Sequence, residues 1–171
     1  MVAAGWCAGR GHQPAAFKSV KERNMKNRKI AIIDDDRKIA KDLEAILTTI
    51  GHEPVVVNDA LLAVDTVVQK RPDMILLELR MPHKNGFELA AEMNHVLEKA
   101  KIPIIAMSRF FKHEFRFLLN LCGIQAYLRK PFLPLDVIWA VESVTEENNQ
   151  WDNERRLERA GYRNYNIAKH D

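Results

Sequence analysis

The side chains in this chain with chemical potential are Asp34-Asp35-Asp36, Glu78, Ser108 and Lys130. Three adjacent carboxylates repel one another unless a cation or a basic side chain sits among them. Carboxylates that converge from two strands can hold Mg²⁺, a hard cation that takes oxygen ligands and keeps several of its waters. A hydroxyl and an ammonium beside that ion complete a pocket for an anion bonded to the metal, such as a phosphoryl group. Each residue also has an ordinary explanation: Asp36 or Ser108 can cap a helix, Glu78 can reach out to water, and Lys130 can be a solvated strand end. The shared site is favoured because all of them fall at the ends of apolar runs.

Those runs set the positions. Met74 to Leu79 is almost wholly apolar, the pattern of a strand buried on both faces of a parallel sheet, with Glu78 near its end. Met81-Pro82 and Asn85-Gly86 punctuate the loop beyond. Lys29 to Ile33 is the first strand. Ile39, Leu43, Ile46, Leu47 and Ile50 then fall at helical spacing, closed by Gly51. Glu53 to Val57 is the second strand. Asn58 or Asp59 caps a helix with Ala60, Ala63, Val64, Val67 and Val68 on one face. Phe87 to Lys99 is the third helix, with Leu89, Ala90, Met93 and Leu97 inward. Ile102 to Met107 is the fourth strand, ending at Ser108. An aromatic helix follows over Phe110 to Cys122, and Ile124 to Leu128 is the fifth strand, ending at Arg129-Lys130-Pro131-Phe132. The last helix runs from Leu135 to Glu146, with Val137, Ile138, Val141 and Val144 for burial. Strands that alternate with helices predict a parallel sheet covered on both faces.

The chain has 171 residues, 47% hydrophobic and 29% charged, which suits one domain with a substantial core and tails. It contains no run of 18 apolar residues, so no membrane-spanning helix is expected. The N-terminus makes a poor signal peptide. Cys7 and Cys122 form no CxxC pair and read as free thiols in a reducing cytoplasm. The net charge is +3, but residues 1–29 alone carry +6, leaving a mildly acidic body. Binding to nucleic acid through that arm alone would be weak and salt-sensitive, so nucleic acid is not the expected partner. Residues 1–27 read as a disordered basic arm, 28–146 as the folded domain, and 147–171 as a polar tail with a candidate short helix at 153–160.

The pattern resembles the receiver domain of bacterial two-component response regulators, over about Arg28 to Glu146. IIDDD resembles that family's acidic pair and PDMILLELRMPHKNG its phosphoacceptor strand and loop. Ser108 resembles its Ser/Thr switch, and AYLRKPF its Lys-Pro-Phe ending. Thirty residues separate Glu78 from Ser108, and 22 separate Ser108 from Lys130, as that family requires. The resemblance implies a flavodoxin-like (βα)5 sandwich with sheet order 2-1-3-4-5. It implies that Asp35, the Arg80 carbonyl and the acceptor position hold Mg²⁺, with Asp34 assisting through water. Lys130 would contact the phosphoryl group, Lys130-Pro131 would be cis, and Tyr127 would turn inward in the active state. A histidine kinase or another signalling protein, and self-association as a homodimer, are the partners implied.

One departure bears on function. The resemblance places Glu78 where the family phosphorylates an aspartate. Glutamate adds one methylene, about 1.5 Å, and misplacements of that size can cost about 10²-fold in phosphoryl transfer. The longer arm instead carries a carboxylate toward the place of phosphoryl oxygens, within reach of Ser108 and Lys130. The second departure is Arg109, where the family has a small residue; it is expected to pair with Glu78 or obstruct a donor. The reading is a stand-alone, non-enzymatic, cytoplasmic receiver that docks through its fourth helix, fifth strand and last helix, with Glu78 mimicking phosphorylation. The rival is a haloacid-dehalogenase-like phosphatase using Asp34 and Asp36 at DxD spacing. It lacks the acidic pair required at a later strand end.

Overall fold

The computed structural model describes residues 27–97, 102–110 and 115–145. The basic arm, the polar tail and its candidate helix therefore lie outside the described residues, apart from Asn27. Five parallel strands form one sheet: β1 (Lys29–Ile33), β2 (Glu53–Val57), β3 (Met74–Glu78), β4 (Ile104–Ser108) and β5 (Ala126–Arg129), in the order β2-β1-β3-β4-β5. The helices between and after them are α1 (Arg37–Thr49), α2 (Ala63–Lys70), α3 (Gly86–Val96), α4 (Phe115–Leu121) and α5 (Pro134–Thr145). This is the flavodoxin-like order expected from the sequence.

The apolar runs explain the layers. Every residue of β3 and β4 is buried, because these central strands are covered on both faces. Ala31, Ile33, Ile75, Leu77, Ile104 and Ala106 pack one face of the sheet against Ala63 and Val67 of α2, Leu89, Ala90 and Met93 of α3, and Leu119 of α4. Ile30, Ile32, Met74, Leu76, Ile105 and Met107 pack the other face against Ala40, Leu43 and Leu47 of α1 and Val137, Ala140 and Val141 of α5. The alternation along each strand thus divides the core in two. Each large side chain so buried contributes about 1.5–3 kcal/mol.

Several boundaries move. β4 and β5 each start two residues later than expected, because Gln125 spends its groups on pairing: its side chain accepts from the Ile104 amide at 2.6 Å and its own amide donates to the Ile104 carbonyl. Phe110 is not helical; its amide donates to Ser108 Oγ at 3.2 Å, a local bond that competes with helix formation. Val68 is 40% exposed rather than inward, since it stands about 100° round the helix from Val67, which takes the inward position with Ala63. Asp59 caps a short 3-10 turn over Ala60–Leu62 ahead of α2, accepting from the Leu61 amide. Asn58 is used differently. Its side chain donates to the Asp34 carbonyl at 2.7 Å and fixes the loop after β1.

Candidate functional site

Register aligns the strand ends. Ile33 pairs with Val57 and Leu77, Glu78 with Met107, and Ser108 with Arg129. The residues that follow β1, end β3 and β4, and follow β5 therefore meet along one edge. Asp34, Glu78, Ser108 and Lys130 are all at most 6% exposed there, whereas almost all the other buried side chains among the described residues are apolar.

Lys130 ties the group together. Its ammonium lies 2.5 Å from Asp34 Oδ2 and 2.5 Å from Glu78 Oε2. The remaining carboxylate oxygens are held by backbone amides: Asp34 Oδ1 accepts from Asp36 at 3.0 Å, and Glu78 Oε1 accepts from Arg80 at 2.8 Å. Burial pushes the Asp34 carboxyl above the usual carboxylate range, and the Glu78 charge adds to the rise; Lys130 and the Asp36 amide oppose it. Asp36 runs the other way. The Ile39 and Lys38 amides at the start of α1 donate to its carboxylate and hold it below the usual range.

A cavity of about 230 Å³ opens over these groups, lined by Asp34, Asp35, Asp36, Glu78, Ser108 and Lys130, with Ile39, Arg80, Arg109 and Phe110 around them. Asp35 is exposed at its rim. Arg109 pairs with Asp36 at 4.0 Å, not with Glu78 as the sequence suggested, because Lys130 and the Arg80 amide already occupy the Glu78 oxygens. Sequence reasoning missed the Arg80 side chain, whose guanidinium stacks over the Phe110 ring at 5.0 Å. It also missed the role of Asn58. Neither spacing nor polarity marks those two residues, since both contacts cross between loops.

The oxygen-only donors suit a hard dication. The arrangement suits it less well, since Lys130 shares one oxygen of each buried carboxylate and amides hold the others. Among the described residues no cluster of three or more His, Cys, Asp or Glu converges as a metal cage. Asp35 and the Arg80 carbonyl remain as oxygen donors outside the Lys130 contacts, and Mg²⁺, which keeps several waters, needs only one or two carboxylates.

The profile of the response regulator receiver domain matches residues 30–142. The chain belongs to that family. As a receiver it is a module of two-component signalling. Similar proteins include the transcriptional regulatory protein PdtaR of Mycobacterium tuberculosis, 30% identical over 116 residues that cover 67% of this chain and 55% of that protein. The phosphate regulon transcriptional regulatory protein PhoB of Pseudomonas aeruginosa is 26% identical over 80% of this chain and 60% of its own length. The receiver chain thus spans little more than half the length of these relatives. Among solved structures, the Vibrio cholerae chemotaxis protein CheY4 superposes with a TM-score of 0.66 at 23% identity, covering 69% of this chain and 98% of its own. A CheY-like receiver from Methanospirillum hungatei gives 0.65 at 20% identity, covering 76% and 98%. These likenesses speak for the fold. Among the described residues no helix is long and apolar enough to cross a membrane.

The phosphatase reading falls. Asp36 is spent on capping α1, and among the described residues no acidic pair ends a strand after Lys130. Asp136 accepts from the Leu133 amide at the start of α5, and Glu142 lies inside that helix.

Proposed function

We propose that this receiver is atypical: Glu78 stands at the phosphoacceptor position and biases the domain toward its active state without phosphate. The single observation that carries the reading is the 2.5 Å contact of Glu78 Oε2 with Lys130, the residue assigned to the phosphoryl group. Ser108, proposed as the switch hydroxyl, lies buried one strand away, with its oxygen engaged by the Phe110 amide. Tyr127, the second switch residue, is half-buried and packs against the core cluster on the α2–α3–α4 face of the sheet, a placement that supports the same reading. Mimicry is partial. A carboxylate carries one negative charge and two acceptor oxygens, where a phosphoryl group carries almost two charges and three oxygens. A bias of roughly 1–2 kcal/mol, about 5- to 30-fold in population, is the expected scale.

Mg²⁺ binds weakly in this reading, through Asp34, Asp35, Glu78 and the Arg80 carbonyl, in competition with Lys130. The protein works in the cytoplasm by contact with a histidine kinase or another signalling protein, or with a second copy of itself. Residues 1–27 act as a basic arm, 28–146 as the receiver, and 147–171 as a tail.

The test pairs two variants, assayed for phosphorylation by a small phosphodonor and for partner binding. Glu78→Asp regains phosphate uptake yet binds the partner less well until it is phosphorylated. Glu78→Gln binds poorly throughout. Equal binding by all three proteins would remove any switching role from Glu78.

A further inference from the structure

The opposite edge of the sheet holds a group that the phosphoacceptor reading does not use. His52 follows Gly51 at the turn from α1 into β2, and it is only 5% exposed. Its own amide donates to the Leu47 carbonyl at 2.9 Å, so the backbone there is pinned to the end of α1. The ring is another matter. Neither Nδ1 nor Nε2 has a hydrogen-bond partner among the described residues. A buried imidazole without a partner fits its pocket as a neutral, mostly apolar ring and fits it badly as a cation.

The charged groups to weigh lie just before β1, on β1 and β2, just before β3, and on α5. Arg28, just before β1, acts on the ring from one side and Glu142 of α5 from another, with opposite signs. Lys29 of β1 and Glu53 of β2 are the next charges along these strands, and they pair with each other at the surface at 3.7 Å. Asp73, before β3, accepts from the Lys29 amide at 2.8 Å. α1 contributes no basic residue in its last turn. None of these groups hydrogen-bonds the ring. Burial is the larger influence and pushes the ring below its ordinary value, with Arg28 adding to the fall and Glu142 opposing it.

We propose that His52 is an acid-sensitive latch: its protonation in the mildly acidic range loosens the corner where α1, β2 and α5 meet. The sign follows from linkage. A histidine that binds its proton less tightly when folded leaves stability intact above the ordinary value near 6.5, and stability is lost as pH falls below it. Because α5 packs on the same core as the end of α1, through Leu47, Val141 and the half-buried Ile50 and Val144, the strain reaches α5 directly. The consequence for docking rests on the reading that α5 borders the output face; the titration itself does not depend on Glu78.

The experiment follows the His52 ring and the Val141 to Val144 amides of the full chain by NMR from about pH 7 to about pH 5, the range in which histidines titrate. Thermal midpoints of wild type and His52→Phe are measured over the same range. The expected result is a His52 midpoint below 6.5, α5 amides that shift with it, and a fall in thermal midpoint that is larger in wild type than in His52→Phe. A His52 midpoint at or above 6.5 would overturn the proposal. So would α5 amides that ignore the titration, or equal falls in the two proteins. If His52→Phe does not fold, the wild-type ring and α5 titrations decide alone. Loss of the proposed Glu78 switch with this titration intact would leave the latch standing.

Discussion

Lys130 holds two buried carboxylates at once, and that makes it the residue whose removal says most about the site. Its ammonium is nearly inaccessible, as are the Asp34 and Glu78 side chains it meets. Breaking a buried pair by deleting one partner costs about 3–5 kcal/mol, because the remaining charge is left uncompensated. Lys130→Met should lie near the lower end, roughly 3 kcal/mol, since the cavity above admits water and burial already raises the Asp34 carboxyl, which eases its protonation once the ammonium is gone. Urea denaturation measures it. The loss should be greatest at neutral pH and shrink as acid neutralises Asp34, whose carboxyl burial raises. The same variant releases Asp34 Oδ2 and Glu78 Oε2, so Mg²⁺ should perturb the Asp35 and Arg80 amides at lower concentration than in wild type. Unchanged or weaker Mg²⁺ binding would mean that Lys130 does not compete with the metal. Residue types and intervals were enough to read these side chains as a group. The reach of Glu78 to Lys130 was legible too, but the partner of Arg109 was not: it pairs with Asp36 because Lys130 and the Arg80 amide hold the Glu78 oxygens, and sequence carries no record of that competition.

At the scale of elements, the site depends on how closely α3 meets the end of β3. Gly86 opens α3 behind the Asn85 cap, and its amide donates to the Leu79 carbonyl at 2.9 Å. A Cβ at this position would overlap the Glu78 carbonyl and lie 2.7 Å from Leu79 Cα. These neighbours are backbone, so they cannot turn aside as a flexible side chain would. Gly86→Ala should therefore cost about 1–3 kcal/mol, the usual penalty for overpacking, even though alanine is the better helix former. A urea midpoint at or above that of wild type would show that the loop has room to retreat. Sequence made the five-strand alternation legible because short continuous apolar runs and amphipathic stretches of period 3.6 differ plainly. It was less informative about ends. β4 and β5 start later than their apolar runs because Gln125 pairs with the Ile104 backbone, and the run before α4 yielded Phe110 to a turn on Ser108. Side-chain competition for backbone groups decided those boundaries, and hydrophobic periodicity does not report it.

At the scale of the whole molecule, the sheet edge at β5 connects the site to a surface. Lys130 follows β5 directly, and Ser108 and Phe110 lead from β4 toward α4. Phe117 and Leu121 stand one turn apart on α4, 72% and 67% exposed, so they share a face that the core does not use. Leu133 and Leu135, at the start of α5 beyond Lys130, are also exposed. Scattered exposed apolars are common, but paired ones on a helix that adjoins the proposed switch site suit contact with another protein. If this face is the output, Phe117→Ser with Leu121→Ser should change stability little, within about 0.5 kcal/mol for each substitution away from the core. The same double variant should cut recovery of the protein that wild type captures from cell extract. It should do so in the Glu78→Asp background as well, whether or not that protein is phosphorylated, because the contact lies downstream of the switch. Retained binding by the double variant, with an unchanged unfolding curve, would place the output face elsewhere on the molecule.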